Sequence, residues 1–328
     1  MSVTKLAHAP LDCISRVRFA AAPGNTQLLV SSWDTHVRLY DARSGLLAGL
    51  HKNSLALLDC TFLEDTSKTV SVGLEKRVVF WDFQGQQETT VGMHDAAIRC
   101  VEFHRDTRQI FTGSWDRTAR TWDLRVPGRP VSVITVGTKV FCMDVSPSHL
   151  VVGGADRKCH IYDLRMLQAP IESRESSLKH QIKAVRIGKD PRFYASSSVE
   201  GRVAIEYLDA AENESSRYAF KCHRVKDEKD NEVVHPVNAL AFHPVFGTFA
   251  TGGSDGGVCT WDAAAKKRLW RLNPFETAVS TLSFSEDGKM LAIGVSYTFD
   301  DGPKTPAPVN ELVVRHVADN EVLPKAKK

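Results

Sequence analysis

Two residue pairs in this chain have the types that proton transfer uses: His94 beside Asp95, and His223 beside Arg224. An imidazole next to a charged neighbour can act as general acid or base near neutral pH. Neither pair has a nucleophile to activate, because no serine or cysteine lies in a nucleophile motif and no glycine-rich loop has phosphate-cradling spacing. The cysteines, at 13, 60, 100, 142, 159, 222 and 259, never form a Cys-x-x-Cys pair or another close metal spacing, so no metal site is expected. Their odd number and wide scatter fit a reducing compartment. Catalysis is not expected and no cofactor is implied. What remains is chemistry for holding another molecule.

That chemistry starts from tryptophan. The segments "SSWDTHVRLYD", "TGSWDRTARTWD" and "TGGSDGGVCTWD" are near-copies, and the position before the turn acid reads Trp33, Leu74, Trp115, Ala155, Val199 and Ser254 along the chain. An indole offers a flat apolar surface with one hydrogen-bond donor. Either tryptophan alone fits a cap on its own unit; two at equivalent places favour a binding surface. The acids that follow, Asp34, Glu75, Asp116, Asp156, Glu200 and Asp255, each lie seven positions before the end of a strand-like segment. Such a constant offset assigns them to bracing turn backbone.

The elements that position these residues are repeats. Seven β-branched and aromatic segments end at Asp41, Asp82, Asp123, Asp163, Tyr207, Asp262 and His316, at separations of 41, 41, 40, 44, 55 and 54 residues. About twenty residues before each lies an alternating segment: "ISRVRF", "LLDCTF", "IRCVEF", "VFCMDV", "IKAVRI", "VNALAF" and "VSTLSF". With a short strand between and room for one after, each unit is a four-stranded antiparallel sheet. Alone it would leave two apolar faces wet, and radial packing buries both.

Up-and-down strand order puts the turn acids at the same end as the start of each first strand. The second position there reads Ser15, Leu58, Arg99, Phe141, Lys183, Asn238 and Ser280, which shares parity with the core positions yet sits at the mouth of the ring. Arg202 adds a cation at that end of the fifth unit. Any one of these cations fits a solvated surface; together, cations among aromatics suit an extended peptide with acidic or phosphorylated side chains. The expected peptide or phosphopeptide site is Trp33, Leu58, Arg99, Trp115, Phe141, Lys183 and Arg202.

Composition agrees with a folded chain and narrows the partners. With 328 residues, 42% apolar and 25% charged, most of the chain can bury a core. A net charge of +3 from 42 basic and 39 acidic side chains argues against bulk nucleic-acid or membrane affinity. The N-terminus lacks a signal-like apolar core, and no window approaches the ~18 apolar residues of a membrane helix. A soluble, nuclear or cytosolic protein is expected.

Trp-Asp or Tyr-Asp after the third strand, Gly-Gly or Gly-Ser before the turn acid, and "MHD" before a first strand resemble the WD40 repeat family. The resemblance implies an all-β, seven-bladed propeller over residues 1–328 as one domain, with blades ending near 41, 82, 123, 163, 207–223, 262 and 316. The seventh unit lacks a turn acid and carries the insertion "YTFDDGPKTPAPVN" at 297–310, so ring closure is expected to borrow the N-terminal "SVTKLAH" as an outer strand. The run from Arg174 to Lys226, with "RESSLKHQIKAVRI", "SSVEGRVAIEYLD" and "RYAFKCHRVK", is similar to the spindle-checkpoint propellers of the budding-uninhibited-by-benzimidazoles group and to the nuclear-pore propellers of messenger-RNA export. "SSWDTHVRLYD", the Glu-Tyr-Leu-Asp ending and a start close to the first blade favour the checkpoint group.

That resemblance implies a non-catalytic adaptor built for peptide recognition. Its top face would hold a short motif of checkpoint kinases or their pseudokinase cousins and read phosphorylated Met-Glu-Leu-Thr repeats on the kinetochore scaffold, within the mitotic checkpoint complex. The propeller itself would be monomeric, nuclear, and at kinetochores in mitosis. By position, Trp33, Lys183 and Arg202 would meet the phosphopeptide or partner acids. Lys183 departs from the family's arginine and lacks its bidentate fork. The export reading would need more clustered cations than Arg99, Lys183 and Arg202, and the short "KKR" at 266–268 and "PKAKK" tail read as solvated surface. The mixed-charge loop at 226–232 reads as solvent-facing.

Overall fold

The computed structural model describes residues 3–22, 24–305 and 308–325. The first strand, Ile14–Phe19, buries Ile14, Val17 and Phe19 and leaves Ser15, Arg16 and Arg18 half-buried. It opens an antiparallel meander through Gln27–Ser32, His36–Asp41 and Leu46–Lys52, and six more follow, making seven four-stranded sheets. Burial falls from the second strand to the outer one: all but the first residue of Gln27–Ser32 is buried, whereas in Leu46–Lys52 only His51 is buried and the rest alternate exposed and half-buried.

Period-two alternation sends a strand's side chains to two neighbours. Leu28 and Val30 pack with Met290, Ala292 and Val314 of the last sheet, while Leu29 packs with Leu57, Cys60 and Phe62 of the second. Each sheet thus buries both faces, at about 1.5–3 kcal/mol per fully buried aliphatic side chain. The inner strands touch in order around the circle, and Val279–Phe284 of the seventh touches Ile14–Phe19 of the first. The protein is an all-β, seven-bladed propeller.

The N-terminus closes the ring. Val3–Lys5 runs antiparallel to Glu311–His316, with Val3 opposite Arg315 and Lys5 opposite Val313, as the outer strand of blade seven. Leu6 follows into the core between blades seven and one. Ser2 of the expected closing segment lies outside the described residues. The wide spacing before the sixth third strand has two causes. Helix Ala210–Ser216 is capped by Asp209, whose carboxylate accepts from the Glu212 amide at 2.8 Å. A hairpin, Arg224–Lys226 with Glu232–Val234, turns through the exposed 226–232 loop.

Both histidine pairs of the sequence prove to be braces. His94 bonds Asp116 through Nδ1 at 2.8 Å and Thr112 through Nε2 at 2.8 Å, and the Trp122 indole donates to the same threonine hydroxyl at 2.8 Å. His223, Asp255, Thr251 and Trp261 repeat the arrangement at 2.7, 2.8 and 3.0 Å. Trp122 lies so close over the outer strand of blade two that a Cβ on Gly92 would stand 2.0 Å from its ring, so only glycine fits there. Burial pushes the His94 ring below its ordinary value against the pull of Asp116. Asp116 is also buried, yet the Thr118 hydroxyl, His94 and the Asp95 amide hold its carboxyl down at about 2.

The sign of that shift makes the brace acid-labile. A carboxyl depressed by folding contributes stability above its unfolded value, near 4, and loses it as pH falls toward 2. Asp116→Asn is expected to cost about 2–3 kcal/mol at pH 7, as for a hydrogen bond to a charged group. In urea titrations the gap between wild type and variant should close below about pH 4. A gap that ignores pH would mean the charge on Asp116 contributes nothing.

Candidate peptide-binding site

In every blade the first and third residues of the inner strand pair with consecutive residues of the second strand. Ile14 faces Ser32 and Arg16 faces Ser31, and the same skip recurs after Leu57, Ile98, Val140, Ile182, Val237 and Val279. The second residue is therefore supernumerary, a β-bulge, which re-aims its side chain. Strict alternation would send these residues into the packing between blades with Val17 and Phe19. The bulge, which sequence parity did not contain, turns them to the axis. Six of the seven (Ser15, Leu58, Arg99, Lys183, Asn238 and Ser280) line a pocket of about 210 Å³ at the turn-acid end of the ring.

Aromatic side chains wall this mouth. Trp33, 43% exposed, and the half-buried Trp115 both line it, joined by Phe299 from the blade-seven insertion. Phe299 stacks on Trp33 with ring centroids 6.3 Å apart and planes 8° from parallel. Sequence reasoning missed Phe299 because the insertion breaks the repeat and offers no equivalent position. Ser254, the odd member of the tryptophan series, has its own duty. Its hydroxyl accepts from Asn238 Nδ2 at 2.9 Å and donates to Asp300 at 2.5 Å, tying the insertion to a bulge residue.

The mouth is cationic and incompletely bonded. Arg99 donates to the Leu58 carbonyl at 3.2 Å, and among the described residues neither Arg99 nor Lys183 forms an ion pair. Burial lowers the Lys183 pKa, with Asp300 pulling the other way and the like charge of Arg99 adding to the fall. Two buried polar atoms of lining residues lack a protein partner: the Trp115 Nε1–H donor and the Asn238 Oδ1 acceptor. Orphaned atoms of this kind cost free energy unless a ligand or water meets them. Among the described residues no three His, Cys, Asp or Glu side chains group to hold a metal ion.

Five of the seven expected site residues, Trp33, Leu58, Arg99, Trp115 and Lys183, therefore meet in one pocket. Phe141 occupies the bulge position of blade four but is not among the lining residues. Arg202 also lies outside the lining; its Nε is 3.6 Å from Glu200 of its own blade, and its side chain is 35% exposed. The turn acids knit the entering loops to the rim. Asp34 accepts from the Leu11 amide at 3.0 Å and pairs with Arg38 at 2.6 Å; Glu75 accepts from the Leu55 amide at 2.9 Å. Glu200 takes the Lys179 amide at 2.7 Å, Asp156 the Lys158 amide at 3.2 Å, and Asp255 the Gly257 amide at 3.0 Å.

Below the mouth the axis is ionic. Arg16 grips Asp59 at 2.7 and 3.0 Å, Arg18 grips Glu102 at 2.6 Å through both nitrogens, and Arg186 approaches Glu102 at 3.3 Å and Asp144 at 3.8 Å. Arg18 and Glu102 belong to blades one and three, which are not neighbours, so this pair meets across the channel. Burial raises the Asp144 carboxyl, Arg186 opposing and Glu102 adding to the rise. Three cations balance three carboxylates, whereas Arg99 and Lys183 at the mouth form no ion pair among the described residues.

The family described as WD domain, G-beta repeat matches residues 85–123 and 230–262. Those stretches hold Thr112, Asp116 and Trp122, and Thr251, Asp255 and Trp261, of the two braces. Mitotic checkpoint protein BUB3.1 of Arabidopsis thaliana is 45% identical over 329 residues, covering 98% of this chain and 95% of that protein. Mitotic checkpoint protein bub-3 of Caenorhabditis elegans is 39% identical over 96% of this chain and 94% of its own. The mRNA export factor GLE2 of Chaetomium thermophilum is 34% identical over 91% of this chain and 85% of its own.

Proposed function

The chain belongs to the Bub3 family of WD40-repeat propellers, and on that footing we propose that it is a non-catalytic adaptor of the spindle assembly checkpoint. The mouth at the turn-acid end holds an acidic segment of a checkpoint kinase or pseudokinase, and the rim reads phosphorylated Met-Glu-Leu-Thr repeats of the kinetochore scaffold. The propeller thereby brings components of the mitotic checkpoint complex to kinetochores in the dividing nucleus. One observation carries this reading: Arg99 and Lys183 lie among Trp33, Trp115 and Leu58 with no carboxylate paired to either among the described residues. Two half-buried cations with no ion-paired carboxylate favour a carboxylate or phosphate supplied from outside.

Arg202 has a separate part. Held loosely by Glu200 and a third exposed, it can trade that contact for a phosphate at the rim while the mouth is occupied. Calorimetric titration of phosphorylated and unphosphorylated scaffold peptides against wild type and Arg202→Ala tests this. Phosphorylation is expected to tighten binding to wild type between about 5- and 100-fold and to lose most of that gain in the variant. Equal affinity in all four titrations removes the role. Affinity capture from mitotic cells should recover checkpoint kinases; recovery of nucleoporins alone would support the export reading that the GLE2 similarity favours.

A further inference from the structure

The insertion reaches the mouth, where Thr298 and Phe299 join its lining, and the stretch Tyr297–Lys304 is tied down by short-range contacts. The Tyr297 hydroxyl donates to the Gly302 carbonyl at 2.7 Å, the Lys304 ammonium sits 4.5 Å above the Tyr297 ring, and Asp300 accepts from the Ser254 and Thr298 hydroxyls at 2.5 and 2.6 Å. This arrangement lays Phe299 on Trp33 and brings the Asp300 carboxylate near enough to Lys183 to favour its charge. An aromatic ring followed directly by a carboxylate is the pair that a wall of indoles beside two cations would select.

The fit is imperfect in three respects. Phe299 has a φ of +60°, a left-handed backbone that a bulky residue adopts only under constraint, and the residue stays 49% exposed. Asp300 spends its hydrogen bonds on two hydroxyls and forms no ion pair with Lys183 or Arg99. The Trp115 donor and the Asn238 acceptor remain orphaned beneath it. A ligand free to choose its backbone path can improve on each point.

We propose that Tyr297–Lys304 is an internal occupant of the mouth, and that the partner segment displacing it presents an aromatic side chain followed at once by a carboxylate. The proposal rests on the mouth being a peptide site and adds what the peptide carries there. In the bound state the partner's ring takes the place of Phe299 on Trp33, and its carboxylate pairs with Lys183 and Arg99. The insertion then swings clear, pivoting where Ser254 releases Asp300. Because the occupant is built into the chain, it taxes every ligand equally and rejects those too weak to displace it.

The test uses labelled twelve-residue peptides with a Phe-Asp, Ala-Asp or Phe-Asn core in a common Gly, Ser and Glu background, titrated into the full chain by fluorescence anisotropy. Wild type is expected to bind Phe-Asp about 10-fold tighter than either control, and Phe299→Ala/Asp300→Asn to bind it about 10-fold tighter again. Hydrogen exchange needs no variant: the Asp301 and Gly302 amides, bonded to the Tyr297 hydroxyl and Phe299 carbonyl, should exchange faster in wild type once Phe-Asp peptide is bound. Equal or weaker binding by the double variant, or unchanged exchange, overturns the proposal. A parallel titration with the phosphorylated scaffold peptide and Lys183→Ala separates the two failures. Lys183-dependent binding without any effect of the insertion leaves the peptide site standing and removes the occupant, whereas binding indifferent to Lys183 in every titration removes both.

Discussion

Asp59→Ala is expected to lower the unfolding free energy by about 3–5 kcal/mol, the cost of stripping one partner from a buried ion pair. The Asp59 side chain is fully buried, accepts two bonds from Arg16, and takes the Val101 amide of the next blade at 3.1 Å. Burial alone would raise its carboxyl, but Arg16 and then Arg18 outweigh that and hold it well below the usual range. Alanine leaves Arg16, whose side chain is 19% exposed, without a counter-charge, while Arg18 keeps Glu102. A second substitution tells the pair from the site. Arg16→Met in the Asp59→Ala background should recover part of the loss, because no unpaired charge is then left in the channel, while the Val101 and Cys60 amides stay without their acceptor. Urea denaturation of the four proteins closes the cycle. A loss under about 1 kcal/mol for Asp59→Ala would reduce the channel network to the rank of exposed ion pairs.

That network is written in the inner strands, but nothing in their alternation marks which charges meet. "ISRVRF", "LLDCTF", "IRCVEF", "VFCMDV" and "IKAVRI" each carry a charge at the third or fifth position of an otherwise core-like strand, with Arg16, Arg18 and Arg186 set against Asp59, Glu102 and Asp144. The blade period, the meander and the closing N-terminal strand were legible because each follows from spacing and alternation. The mouth was located by strand order, which sets its residues there although they share parity with the core; the bulge that turns them was not legible. A bulge adds one residue without a sequence mark, since Ser15, Leu58, Arg99 and Lys183 share no chemistry. Phe299 and Asp300 escaped for the opposite reason. They lie where the repeat breaks off, so no neighbouring blade supplies a template, and only the stacking on Trp33 reveals them.

Lys183→Met should make the free protein more stable and the adaptor inactive. Burial and the neighbouring Arg99 together disfavour the Lys183 ammonium more than Asp300 favours it, so the folded state bears the charge at a loss. Methionine keeps the stem and drops the charge, a change expected to add about 1 kcal/mol to stability, as is common where a binding site is kept strained. The same change should weaken an acidic partner peptide by about 30-fold or more, because a desolvated cation beside Arg99 is what its carboxylate meets. Lys183→Glu should go further: the new carboxylate would pair with Arg99 inside the mouth and repel the ligand, for a loss beyond about 100-fold. Lys183→Arg restores a fork that can take a carboxylate through two bonds, so its affinity should equal or exceed that of wild type. Denaturation and calorimetry on the three variants give opposite orders for stability and binding if Lys183 is kept in the mouth to meet an anion. Loss of stability and binding together in Lys183→Met would instead make Lys183 part of the packing that holds the ring.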